Sequence, residues 1–368
     1  MDQDRLAQIA LNFIPGIGHM LTKQLVSYCG SANNVLSTPK SKLLKIPGIG
    51  PKVVEAIQQQ IPLKKAEEEL EKCEKLGAKI LLYTDNEFPK RLRQINDAPS
   101  LLYYLGKTDL NTSKIVSIVG TRNATDYGKE LTEELVSHLK AHNTLVVSGL
   151  AYGIDICAHK AALRNNLDTI GVMASGIDKI YPAIHADVAR QMKENGGLLT
   201  ENPLGSKPDA PKFPARNRII AGMADAIVVV EAAKKGGALI TANIANSYNK
   251  DVFAFPGDIG NEFSEGCNAL IKSNQAHLIQ SIKDLEYIMN WEPNSEIKIS
   301  EPLNLERLDN DEKVVVKELQ AQKDSIMIDN LSWTTQFSPS KLASILLNLE
   351  FKGYVNSLPG KRFRLAKK

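Results

Sequence analysis

The feature that most constrains this chain lies between residues 114 and 155, where a strand, a glycine turn and a helix occur and then begin again. Residues 115–119 and 145–147 are short runs rich in β-branched residues, each cut off at a glycine. Such runs, apolar on both faces, are expected in a parallel sheet covered on both sides. Between them, residues 128–141 carry Leu131, Leu135, Val136 and Leu139 on one helical face. Strand, turn, helix, strand, turn is the opening of a doubly wound α/β domain. Its turns lie where free backbone N–H groups and helix dipoles favour an anion. The first turn carries Arg122 and the second carries Ser148 and Tyr152. The chemistry points to phosphate, and the remaining question is whose.

The alternation continues through the middle of the chain. Strands are expected at 169–174, 197–201, 226–231 and 252–255, and helices at 183–195, 216–222, 238–248 and 267–273, the last a short one. Upstream, 62–109 is a connector with structure of its own: a charged helix at 63–76, a strand at 79–83, a helix at 86–95 and a strand at 99–106 placed at a sheet edge. This segment is expected to extend the central sheet. The fold class is therefore α/β, with an extended Rossmann-like, mostly parallel sheet as the core over 62–290.

Two smaller modules flank it. Ile14-Pro15-Gly16-Ile17-Gly18 returns as Ile46-Pro47-Gly48-Ile49-Gly50, each time between helical segments. This repeat resembles a tandem helix-hairpin-helix over 1–61, with Lys23 and Lys52 following the turns. Such a module either binds a DNA phosphate through backbone amides or survives as a scaffold. Residues 291–310 lack strong periodicity and are expected to form a linker. Over 311–368, helices at 312–320, 328–333 and 338–349 precede two short strands around Pro359-Gly360, the pattern of a winged helix-turn-helix. Ser338 before Pro339 is a proper helix start. Residues 312–368 hold ten Lys/Arg against five Asp/Glu, half of the basic ones after Pro359. Contact with nucleic acid and contact with protein are both open for this module.

Composition enters mainly by exclusion. The net charge of +3 over 368 residues is too small to announce nucleic acid, so local clustering must carry that argument. The four cysteines are scattered without a Cys-x-x-Cys pair, so neither zinc nor a disulfide framework is suggested. No apolar run reaches membrane length and the polar start does not resemble a signal peptide, so a reduced, cytoplasmic protein is expected. No metal or cofactor is expected.

Three ligands compete for the phosphate site. A dinucleotide is disfavoured because the first turn lacks Gly-x-Gly-x-x-Gly and the second strand ends in Ser148-Gly149, where a ribose-binding acid would be needed. A small-molecule hydrolase is suggested by Lys235-Gly236-Gly237 before a helix, which resembles the loop of nucleotide phosphoribohydrolases. The proline, third glycine and glutamate of that loop are missing. Asp155 and His159, spaced i, i+4, offer either an acid–base pair or a helix-terminal cap.

The third ligand is a nucleic-acid backbone. Lys212, Arg216, Asn217 and Arg218 join Arg122, Lys234 and Lys235 in a set expected to converge on one crevice. Gly120, Ser148, Gly149, Gly236 and Gly237 are expected to supply the phosphate-binding turns. Phe213 among these cations offers either a face for an unstacked base or a hydrophobic plug. The arginines offer either phosphate contact or ion pairs with Glu201 and Glu231.

Four motifs together resemble the DprA/Smf DNA-processing family. They are Val-Gly-Thr-Arg-Asn-Ala-Thr-Asp-Tyr-Gly at 119–128, Ser-Gly-Leu-Ala-Tyr-Gly-Ile-Asp-Ile-Cys-Ala-His at 148–159, Gly-Ile-Asp-Lys-Ile-Tyr-Pro at 176–182 and Phe-Pro-Ala-Arg-Asn-Arg at 213–218. The resemblance implies a Rossmann-like core that binds single-stranded DNA, forms a homodimer and helps load the recombinase RecA during uptake of transforming DNA. It implies no enzymatic activity, and it carries DNA contact onto Arg122, Lys212 and Phe213.

Overall fold

A computed structural model describes residues 3–59, 61–293, 308–321, 325–352, 354–358 and 360–365. Nine strands form one sheet: β1 (Lys79–Leu82), β2 (Leu101–Gly106), β3 (Ile115–Val119), β4 (Leu145–Gly149), β5 (Thr169–Val172), β6 (Gly196–Thr200), β7 (Ala226–Val229), β8 (Asp251–Ala254) and β9 (His277–Leu278). Their order is β1-β2-β6-β5-β4-β3-β7-β8-β9. The ladders from β6 through β9 are parallel, and β1 and β2 join antiparallel beyond β6. Every residue of β3, β4, β5, β6 and β7 is buried, as expected of strands covered on both faces. The chain runs outward from β3 through β4 to β6, then crosses back to β7 on the other side of β3. The carboxyl ends of β3 and β7 thus flank the point where the winding reverses, the place where open α/β sheets form a crevice.

Four sequence expectations need correction. The 86–95 helix shrinks to Lys90–Arg93, because Asp85 organises a turn instead: its carboxylate accepts from the Leu82 amide at 2.8 Å, and its carbonyl accepts from the Phe88 amide at 3.1 Å. The 183–195 helix breaks into a short 3₁₀ turn at Ala183–His185 and a helix at Ala186–Met192. The strand at 99–106 is interior, since β1 occupies the edge beside it. The helix at 267–273 is not the last element of the core, since β9 and a helix at Ile282–Met289 follow it, with Ser281 and Asp284 forming a capping box.

Chain contacts separate two compact units, Met1–Pro293 and Asn294–Lys368. In the first, the N-terminal helices build a core of their own around Leu11, Leu25, Leu43 and Ile57. Ile9 and Ala10 instead join the sheet's apolar cluster with Cys73, Leu82 and Tyr103. Arg5 Nη1 donates to both carboxylate oxygens of Asp85 at 2.9 Å. Both hairpin turns use a glycine in the left-handed region, Gly16 at φ 84° and Gly48 at φ 80°. The first turn is docked on the sheet domain: His19, which follows Gly18, lies 2.7 Å from the Glu201 carboxylate and 3.0 Å from the Ser100 hydroxyl.

The second unit has helices at Asn310–Ala321, Ile328–Thr335 and Pro339–Phe351 and a sheet in the order β10 (Ile326–Met327), β12 (Arg362–Leu365), β11 (Val355–Leu358). Ser338 caps the third helix by accepting the Lys341 amide, with Pro339 at its first position, as expected. The two wing strands are present, with β10 as an addition; Pro359 and residues 294–307 of the linker lie outside the described residues.

Candidate nucleic-acid interface

A cleft of about 480 Å³ opens at the carboxyl ends of β3 and β7. Its floor is the turn after β3, with Gly120 and Arg122; one wall is Phe213, Arg216 and Asn217 from the Lys212–Met223 helix. The opposite wall is Lys235, Gly236 and Gly237, where the chain leaves β7 for the Gly237–Ser247 helix. That helix has no side-chain cap, so its first amides face the cleft end of its dipole. A smaller recess of about 40 Å³ adjoins and shares Arg122, Phe213 and Arg216 with the cleft.

Arg122 is exposed, and its guanidinium carbon sits 5.6 Å from the centroid of the Phe213 ring. Cation over ring is an attractive arrangement that also holds the long side chain in place. Phe213 is itself half-buried, with the Tyr181 ring 6.1 Å away at 59°. Tyr152 and Tyr181 are each about half exposed beside the recess. The sequence displayed Tyr152 on the second turn and Tyr181 within a motif, but nothing in their spacing foretold that both would line one recess with Phe213.

Arg216 is different in kind. It is buried, its Nη1 donates to the Val172 carbonyl at 2.7 Å and its Nε donates to Asn217 at 3.1 Å. Its charge faces Asp155, whose carboxyl is pushed upward by burial against the opposing pull of Arg216, the Ala151 amide and the Ser148 hydroxyl. Arg218 is committed outside the cleft, paired with Glu201 and donating to the Asp97 carbonyl at 2.5 Å. Glu201 thus takes an arginine, whereas Glu231 accepts from Thr125. Lys212 donates to the Lys207 carbonyl at 2.8 Å, and Lys234 lies 3.4 Å from Glu265. Neither these lysines nor Arg218 line the cleft. The expected convergence of all the cations narrows to Arg122 and Lys235 as exposed charges, with Arg216 beneath them.

Ser148 and Gly149, expected among the phosphate-binding turns, are buried below the cleft. The Ser148 hydroxyl lies 2.6 Å from the Ile118 carbonyl, and the Gly149 carbonyl accepts from His159 Nε2 at 2.6 Å. A carbonyl can only accept, so Nε2 carries the proton, and Nδ1 lies 2.7 Å from the Thr169 hydroxyl. Burial depresses the His159 pKa to about 4. Both ring nitrogens are therefore occupied away from Asp155, and the acid–base pair that i, i+4 spacing allowed is not assembled. Gly153 is where the two turns approach: at φ 75°, it lies so close that a Cβ would approach the Thr121 carbonyl to 2.1 Å. Its neighbour Ile154 donates its amide to that carbonyl at 3.2 Å, joining the two turns.

Among the described residues, no cluster of three or more His, Cys, Asp or Glu is placed to hold a metal, and no helix is long and apolar enough to cross a membrane. Residues 79–290 match the family model of DNA recombination-mediator protein A, and residues 300–361 match that of the DprA winged helix domain. A protein named Smf from Synechocystis is 33% identical, with 97% of each chain covered. The DNA processing protein DprA of Bacillus subtilis is 36% identical over 61% of this chain and 75% of its own. The crystal structure of DprA from Streptococcus pneumoniae superposes with a TM-score of 0.68 at 30% identity, covering 79% of this chain and 99% of that one. A structure of DNA processing protein A from Helicobacter pylori, described for its single-stranded-DNA binding mode, gives a TM-score of 0.53 at 31% identity over 58% and 97% of the two chains.

Proposed function

This chain belongs to the DNA recombination-mediator protein A family, the DprA/Smf proteins, and from that premise we propose that it binds single-stranded DNA and helps RecA recombinase assemble on it during transformation or recombination. The observation that carries the reading is Arg122 poised over Phe213 at the mouth of the switch-point cleft. An exposed cation neutralises a backbone phosphate, and an aromatic face beside it accepts a base of any identity. Lys235 and the uncapped helix at Gly237 add a second anion-attracting wall. Lys212, half-buried at the start of the Lys212–Met223 helix, and Lys234, exposed beside Lys235, extend the basic path for a polymer rather than a mononucleotide.

Such a site has no reading of base edges, so it holds a strand without fixing its sequence and can release it. That property suits hand-over to a recombinase better than permanent shelter. We assign no catalytic residue, and the function proposed is binding and mediation by a homodimer in the cytoplasm. The nucleotide-hydrolase alternative draws nothing from His159, whose ring is committed to Gly149 and Thr169. The test is RecA ATP turnover on single strands already coated with a general single-strand-binding protein. Adding this protein shortens the lag if the reading is right. An unchanged lag with DNA binding intact reduces the function to protection, and steady release of base from nucleoside monophosphates replaces it with hydrolysis.

A further inference from the structure

We propose that Glu231 is the positioning residue of this interface: its buried side chain and backbone together clamp the 120–125 turn so that Arg122 is presented to a DNA phosphate, an assignment that rests on the DNA reading above. The turn leaves β3 at Val119 and enters the Asp126–Leu139 helix, and Arg122 and Asn123 at its tip are exposed. Glu231 follows β7 and is 4% exposed. Its carbonyl accepts the Thr121 amide at 2.8 Å, holding the start of the turn. Its carboxylate accepts the Thr125 amide at 3.0 Å and the Thr125 hydroxyl at 2.5 Å, holding the end. The same hydroxyl accepts the Gly128 amide at 3.1 Å, so the clamp is continuous with the helix cap. Gly128 leaves room for it, since a Cβ there would come within 2.1 Å of Glu231 Oε2.

A carboxylate is an unexpected group to bury under a polyanion site. Among the described residues, Glu231 has no Lys or Arg nitrogen within ion-pair distance; amide, hydroxyl and the N-terminus of the following helix stabilise it instead. On long-range electrostatics alone, removing a negative charge here strengthens DNA binding. On the positioning assignment, removal weakens it, because glutamine leaves one acceptor where the turn's far end uses two and puts an N–H2 donor in place of the other. The two expectations have opposite signs, which makes the assignment decidable.

The experiment uses the full chain and an oligo-dT strand, titrated over a range of salt. The variants are Arg122→Ala, Glu231→Gln and their double. Glu231→Gln is expected to weaken binding about tenfold and to lower the salt slope by about 0.7, as one lost single-strand phosphate contact would. The double variant should bind no more weakly than Arg122→Ala alone. If Glu231→Gln lowers the melting temperature markedly, Gly128→Ala reaches the same carboxylate from a helical position that suits alanine, and it should reproduce the loss. Wild-type or tighter binding by both clamp variants, with Arg122→Ala still impaired, overturns the clamp and leaves the DNA reading standing. Losses that multiply in the double variant also overturn it. An inert Arg122→Ala removes both.

Discussion

Arg216 and Arg218 lie two positions apart in one motif, yet neither is an open phosphate ligand, because their partners are distant in sequence. Asp155 and Val172 claim Arg216, and Glu201 and Asp97 claim Arg218. Residue type announced charge and could not announce commitment. Glu201 was legible as an arginine partner, while Glu231 serves Thr125 instead. Phe213 was legible as an aromatic among cations, and its pairing with Arg122 gives that expectation a geometry. Phe213→Ala should weaken single-strand binding by about 1–3 kcal/mol with little change in salt slope, while Phe213→Tyr keeps most of the affinity; fluorescence titration with an oligonucleotide checks both. His159 makes a separate claim on stability. Its folded pKa of about 4 lies below the ordinary 6.5, so the unfolded chain binds more protons between those values. Stability is therefore full above about pH 6.5 and falls as pH drops toward 4, by about 3 kcal/mol in total from this group. Denaturant unfolding of His159→Gln beside wild type should show a shallower loss over that window.

At the scale of elements, the parallel strands were legible because burial on both faces leaves uninterrupted apolar runs that polar helices separate. The 86–95 segment was misjudged because apolar spacing cannot distinguish a helix from a turn that drops Phe88 and Leu92 into the core. The last strand and helix were missed because two residues, both exposed, carry no alternation for a strand to announce itself. The cleft depends on how two elements meet, and this the sequence showed only as glycines. Gly153 is where the first and second turns touch, in a left-handed conformation and against the Thr121 carbonyl. Gly153→Ala should destabilise the protein by roughly 1–3 kcal/mol and should weaken DNA binding through displacement of the Arg122 turn. Thermal unfolding and oligonucleotide titration of one preparation check the pair; wild-type behaviour in both would mean that the turns are not mechanically joined.

At the scale of the whole molecule, the winged helix was legible from a cap, three apolar periods and a basic hairpin, since a small domain must declare its core locally. The tandem hairpins were legible as a repeat, whereas the docking of His19 on Glu201 and Ser100 was not, because that contact is made across the first unit. The cleft belongs to the first unit, Met1–Pro293, and the DNA reading stands on Arg122 at its mouth. The most direct measurement is the salt dependence of single-strand affinity for wild type and Arg122→Glu, with folding verified by thermal unfolding. The account predicts weaker binding and a slope of log affinity against log salt that is shallower by about 0.7 or more, reflecting one lost phosphate contact and added repulsion. A folded Arg122→Glu variant with unchanged affinity and unchanged slope would contradict it, placing the DNA contact on the hairpin repeat or the wing.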